Sequence, residues 1–81
     1  MRTSTLPDLA LAQALAGRRQ RLGKPQHVLA REAGIPAGTL TNYELGRSPI
    51  PPDRLAAIER ALAQAERRQA IVEAALQEAA V

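Results

Sequence analysis

Gln26, Thr39, Thr41, Asn42 and Arg47 fall within one short stretch, residues 22–47, LGKPQHVLAREAGIPAGTLTNYELGR. Amides, hydroxyls and a guanidinium at such spacing form hydrogen bonds and meet anions, which is the chemistry of recognition. Bond-breaking chemistry lacks its parts. The single histidine, His27, has no cysteine or carboxylate cluster around it in the arrangement of a nucleophile or a metal site. The chain contains no cysteine, which excludes disulfides and thiolate metal centres. A HExxH pair, a phosphate-cradling glycine loop and paired catalytic carboxylates are all missing. The expectation is a binding protein, not an enzyme, with no cofactor and no metal.

The elements that must carry these side chains are helical. Alanine and leucine dominate, phenylalanine and tryptophan are absent, and no segment alternates apolar with polar as a strand does. Pro7 suits a first helical turn and Asp8 favours its positive end, so helix 1 is expected from about Pro7 to Leu22, with Leu11, Leu15 and Leu22 on one stripe. Arg18, Arg19 and Arg21 cluster in its last turn, where cations suit the helix dipole. Gly23 stops it. Pro25 opens helix 2, from Gln26 to about Ala33, anchored by Val28 and Leu29, with Ala30 allowing close approach. Gly34 supplies the positive φ of a sharp turn and Ile35 plugs the gap behind it. Helix 3 follows from about Pro36 to Leu45. In it Leu40 and Tyr43 face inward, so Ala37, Gly38, Thr41 and Asn42 fall outside. Residues 22–47 thus form two short helices around a tight turn, a unit shaped to enter a DNA groove.

Charge agrees with that shape. Residues 1–50 hold seven Lys/Arg against three Asp/Glu, a net +4, whereas residues 51–81 hold four against five, a net −1. The basic half is the candidate polyanion face. The 81 residues make one small domain with an aliphatic core. No apolar run approaches the roughly 18 residues a membrane span needs, and no charged-then-apolar leader begins the chain. A soluble, cytoplasmic protein with no membrane partner is expected.

The order Gln26, Leu29-Ala30, Gly34-Ile35, Thr39-Leu40-Thr41, Tyr43-Glu44 and Gly46-Arg47 resembles the Cro and phage-repressor type of helix-turn-helix protein, the XRE family, over roughly Ala14 to Leu62. The resemblance implies an all-α, lambda-repressor-like bundle of about four to five helices. It also implies double-stranded DNA as partner and a bacterial or phage regulator, a repressor before an activator, associated with the nucleoid. Carried over residue by residue, the base-reading positions are Ala37, Gly38 and Asn42, with Thr41 as an outlying reader. The sequence departs from the pattern here. Ala37 and Gly38 offer no side-chain hydrogen bond, which leaves polar reading to Thr41 and Asn42. Pro36 stands where relatives often carry a capping Ser or Thr.

Gln26 matches the residue whose side chain and helix terminus hold a backbone phosphate; the alternative is a cap on its own helix. Thr39 reaches phosphate or satisfies a local backbone donor. Arg47, then Lys24 and Arg18, are phosphate candidates or solvated charges. His27 is expected on the surface near phosphate. Arg19 and Glu44 match a pair that in relatives forms a semi-buried salt bridge, the alternative being two solvated charges.

After the rigid stretch Pro49-Ile50-Pro51-Pro52, no breaker interrupts the residues from Asp53 to Val81. Three units are therefore expected: a loose arm over residues 1–6, the DNA-binding domain over 7–62, and a helical extension over 63–81. Leu55, Ile58, Leu62, Ala65, Gln69, Val72, Leu76 and Ala79 recur alternately three and four apart, a heptad seam with one polar interruption. Its outer part, Ala65, Gln69, Val72, Leu76 and Ala79, either meets a second copy as a homodimer, with Gln69 fixing register, or folds back on its own domain. A dimer places two recognition helices roughly 34 Å apart on a palindromic operator. Arg67 and Arg68 form a solvated face with Glu66 and Glu73 nearby. The competing function is a protein-interaction or bridging module on the same scaffold.

Overall fold

Asp8 fixes where the first helix begins. Its carboxylate accepts a hydrogen bond from the Leu11 amide at 3.2 Å, so Asp8 is the N-cap and α1 runs Leu9–Arg21. The computed structural model describes residues 8–80. The expected arm, Pro7 as a first helical residue and the end at Val81 lie outside the described residues. Three more helices follow: α2 Gln26–Ala33, α3 Ala37–Glu44 and α4 Pro52–Ala80. The described residues are thus all-α, with four helices and a long C-terminal one. None is long and apolar enough to cross a membrane.

The turn between α2 and α3 is made by backbone geometry. Gly34 has φ +74°, and the amide of Ile35 donates back to the Ala30 carbonyl at 2.9 Å, which closes the last turn of α2. Ile35 then packs against the core, half-buried. Gly46 ends α3 in the same way, with φ +76° and the Arg47 amide on the Asn42 carbonyl at 2.8 Å. A Cβ on Gly46 would lie 2.9 Å from Leu9 Cδ1, so this end of α3 is also held tightly against α1. Pro36 acts as the N-cap of α3 instead of its first residue and makes no side-chain cap.

Leu15, Leu29, Leu40, Ile58 and Leu62 form the buried centre with Tyr43, Ile50 and three alanines, Ala12, Ala30 and Ala33. The α1 stripe differs from expectation. Leu11 is exposed and Leu22 half-buried, while Ala12 is fully buried, so the face α1 turns to the core is centred on Ala12 and Leu15. In α4 the inward residues are Ile58 and Leu62, and every residue from 67 to 80 is exposed. Half of α4 therefore belongs to the bundle and half projects from it, which stretches the molecule to 54 × 28 × 19 Å.

Tyr43 has a flaw at its tip: the buried hydroxyl has no hydrogen-bond partner among the described residues. Burial, and secondarily the charge of Asp8, push its phenol above the ordinary range. Tyr43→Phe keeps the ring and removes an unpaired polar atom. It should raise stability by about 1 kcal/mol, seen as a higher denaturant midpoint at unchanged slope.

Candidate nucleic-acid interface

Behind the outer face of α3 lies one connected set of polar side chains. Arg19 on α1 donates through Nε to Glu44 Oε2 at 2.8 Å and through Nη2 to Glu44 Oε1 at 2.9 Å, a bidentate pair. Its Nη1 donates to the Lys24 carbonyl at 2.9 Å. Gln26, the first residue of α2, donates through Nε2 to Glu44 Oε1 at 2.6 Å and accepts from Thr41 Oγ1 at 2.8 Å. Only 11% of the Arg19 side chain and 8% of Glu44 is exposed. This chain of bonds ties α1, α2 and α3 together and fixes how α3 is presented.

The outer surface of α3 is correspondingly sparse. Ala37, Gly38 and Asn42 are exposed, and Thr39 and Thr41 are half-buried. A Cβ on Gly38 would meet nothing within 4 Å, so the space in front of the backbone is open. Thr41 turns its hydroxyl inward to Gln26, whereas Asn42 makes no side-chain hydrogen bond among the described residues. Both α2 and α3 begin on a proline N-cap with no side-chain cap, so their first amides are left for an outside acceptor.

The cations divide into engaged and free. Arg18 meets Glu59 at 2.7 Å and Glu66 at 2.7 Å on α4, and the same pairing holds the Glu66 carboxyl below the usual carboxylate range. Lys24 reaches Glu32 at 3.0 Å. Arg47 is exposed just past α3 and has no ion pair among the described residues. Arg54 escaped the sequence reading. Its Nη1 lies 3.2 Å from where a Cβ on Gly34 would stand, so this guanidinium covers the turn leading into α3. A signal was available: a cation in the first turn of a helix opposes the dipole and asks for another reason to be there.

A family profile described as helix-turn-helix matches residues 15–64, the stretch that contains α2, the Gly34 turn and α3. The chain belongs to the helix-turn-helix family of Cro and phage-repressor type. Neither a curated protein nor a solved structure matches the chain closely enough to count as a relative. As a helix-turn-helix protein it is a DNA-binding regulator. In that family frame α3 is the recognition helix and α2 the helix that crosses the backbone. The Arg19–Glu44–Gln26–Thr41 bonds then join the two halves of the reading unit to α1.

Proposed function

We propose that this protein is a transcriptional repressor that docks α3 in the major groove, as a symmetric homodimer on a palindromic operator, and acts by occupying a promoter in the cytoplasm, at the nucleoid. The observation that carries the reading is Asn42: an exposed amide with no partner among the described residues, on a helix locked from behind. Asn42 reads a base edge, with adenine preferred for a bidentate amide, and Ala37 offers a methyl to thymine. Gly38 lets the backbone come close. Thr41, already bonded to Gln26, contributes as an outlying reader through what its hydroxyl leaves free.

Phosphate is held by the uncapped amides at the start of α2, with Gln26 beside them, by Thr39 in the first turn of α3, and by Arg47 and Arg54. Arg18 and Lys24 already face carboxylates and contribute least. The dimer uses the outer α4 seam of Ala65, Gln69, Val72, Leu76 and Ala79, in which Val72 and Leu76 are the large exposed side chains.

Selection of bound sequences from a random duplex pool at moderate salt tests the reading. A palindromic motif is expected, and Asn42→Ala should flatten one position per half-site, a loss of about 1–3 kcal/mol of discrimination. A pool that shows no enrichment, together with an Asn42→Ala variant of unchanged DNA affinity, would favour a protein-bridging module instead.

A further inference from the structure

The projecting part of α4 carries an apolar surface that nothing among the described residues covers. Ile71, Val72 and Leu76 are 71%, 51% and 64% exposed. Where α4 still lies on the body, a groove of about 380 Å³ runs alongside it, with Ala57, Ala61 and Ala65 on its floor. Its rim carries Lys24, Arg60 and Arg68 against one carboxylate, Glu32, a net +2. A second hollow continues from Ala65 and Arg68 to Val72. Groove and projection are therefore one continuous face. Their charges are opposite, because beyond Arg68 the helix carries Glu73 and Glu78 and no cation as far as residue 80.

The geometry points to a second copy of this chain as the occupant, with the two α4 helices antiparallel and the acidic end of each lying in the cationic groove of the other. The inference rests on the dimer proposed above and adds its direction and a second surface beside the seam. Ala61, Ala65, Arg68, Val72, Ala75 and Ala79 recur four and three apart and share one helix face. Setting Ala65 opposite Ala75 of the second copy also sets Ala61 opposite its Ala79 and Arg68 opposite its Val72. The contact is then the same seen from either chain. In that register Arg60 lies within a turn of the second copy's Glu78, and Arg68 within a turn of its Glu73. Small side chains at most of the facing positions allow the helices to approach closely. A parallel pair on this face would set Arg68 against Arg68 and leave the acidic ends away from the grooves. At 1.5 Å per residue the two Arg60 positions stand roughly 30 Å apart along the shared axis, close to one turn of DNA at roughly 34 Å.

The chain has no cysteine, so engineered thiols report unambiguously. An equimolar mixture of Ala61→Cys and Ala79→Cys chains should form a disulfide-linked dimer holding one of each, while Leu76→Cys alone should not link to itself. Charge reversal supplies a second measurement. Sedimentation velocity should show self-association weakened about 10- to 100-fold for Glu73→Arg/Glu78→Arg and again for Arg60→Glu/Arg68→Glu. Mixing the two variants should restore the dimer, because each chain then meets its complement. Efficient Leu76→Cys cross-linking with a silent 61/79 pair overturns the antiparallel arrangement and leaves the proposed dimer standing. A wild-type chain that sediments as a monomer at every concentration overturns both, and a gel shift on the selected operator then reports whether DNA binding survives on its own.

Discussion

Glu44→Ala lowers the melting temperature of the chain by about 12–40 °C, the largest single effect expected outside the hydrophobic core. The substitution removes the acceptor of three hydrogen bonds and leaves the Arg19 guanidinium enclosed with one remaining partner, the Lys24 carbonyl. Breaking a buried pair from one side costs about 3–5 kcal/mol, because the surviving charge is neither solvated nor paired. In a domain of this size each kcal/mol moves the midpoint by about 4–8 °C. Replacing both partners separates strain from need. Arg19→Met/Glu44→Leu strands no charge and should melt close to wild type. Gln26 loses its anchor in that double variant, so DNA affinity should fall although the fold holds. A calorimetric scan of both variants decides the matter: a Glu44→Ala protein that melts within about 2 °C of wild type would mean that the pair is solvated and orients nothing.

Arg47→Ala/Arg54→Ala should weaken operator binding about 200-fold near 50 mM salt and only about 20-fold near 200 mM. The two figures follow from counterion release. Each phosphate neutralised adds about 0.9 to the slope of log affinity against log salt, and two contacts that contribute nothing at 1 M give these losses at the lower concentrations. Both guanidiniums are exposed and free of carboxylates among the described residues, so the variants should fold and melt like the parent. The diagnostic is the slope itself, measured by fluorescence anisotropy across a salt series, which should fall by about 1.8. An unchanged slope would remove both residues from the DNA contact. Loss confined to the cognate operator, with non-specific binding intact, would also contradict a phosphate role, since phosphate contacts act on every sequence alike.

The parts of this molecule that depend on neighbouring residues were legible in the sequence. The bounds of α2 match the expected Gln26–Ala33, and Leu40 and Tyr43 face inward, because proline and glycine punctuation and helical spacing are local properties. The long uninterrupted C-terminal helix was legible for the same reason. What escaped depends on residues far apart in the chain. Arg18 stands in the sequence as a phosphate candidate or a solvated charge, yet its donors go to Glu59 and Glu66, 41 and 48 positions away, which no spacing argument reaches. Thr41 and Gln26 each match DNA-contacting positions of the family, and their bond to one another appears only once α2 and α3 are packed. The exchange of Leu11 for Ala12 in the core has a similar origin. Periodicity counts large apolar residues, whereas the face α1 turns to the core is centred on Ala12 and Leu15.

The division of α4 into an enclosed half and an unenclosed half has an evolutionary consequence. Ile58 and Leu62 answer to the packing of the bundle, and a change there is felt through the whole fold. Residues 67–80 are all exposed, so substitutions among them are expected to leave the fold intact. If the proposed dimer forms, sister proteins arising by gene duplication keep an identical reading head and become insulated from cross-pairing through drift in their tails. Under the proposed dimer, the reading of bases and the choice of partner are carried by different stretches of one short chain.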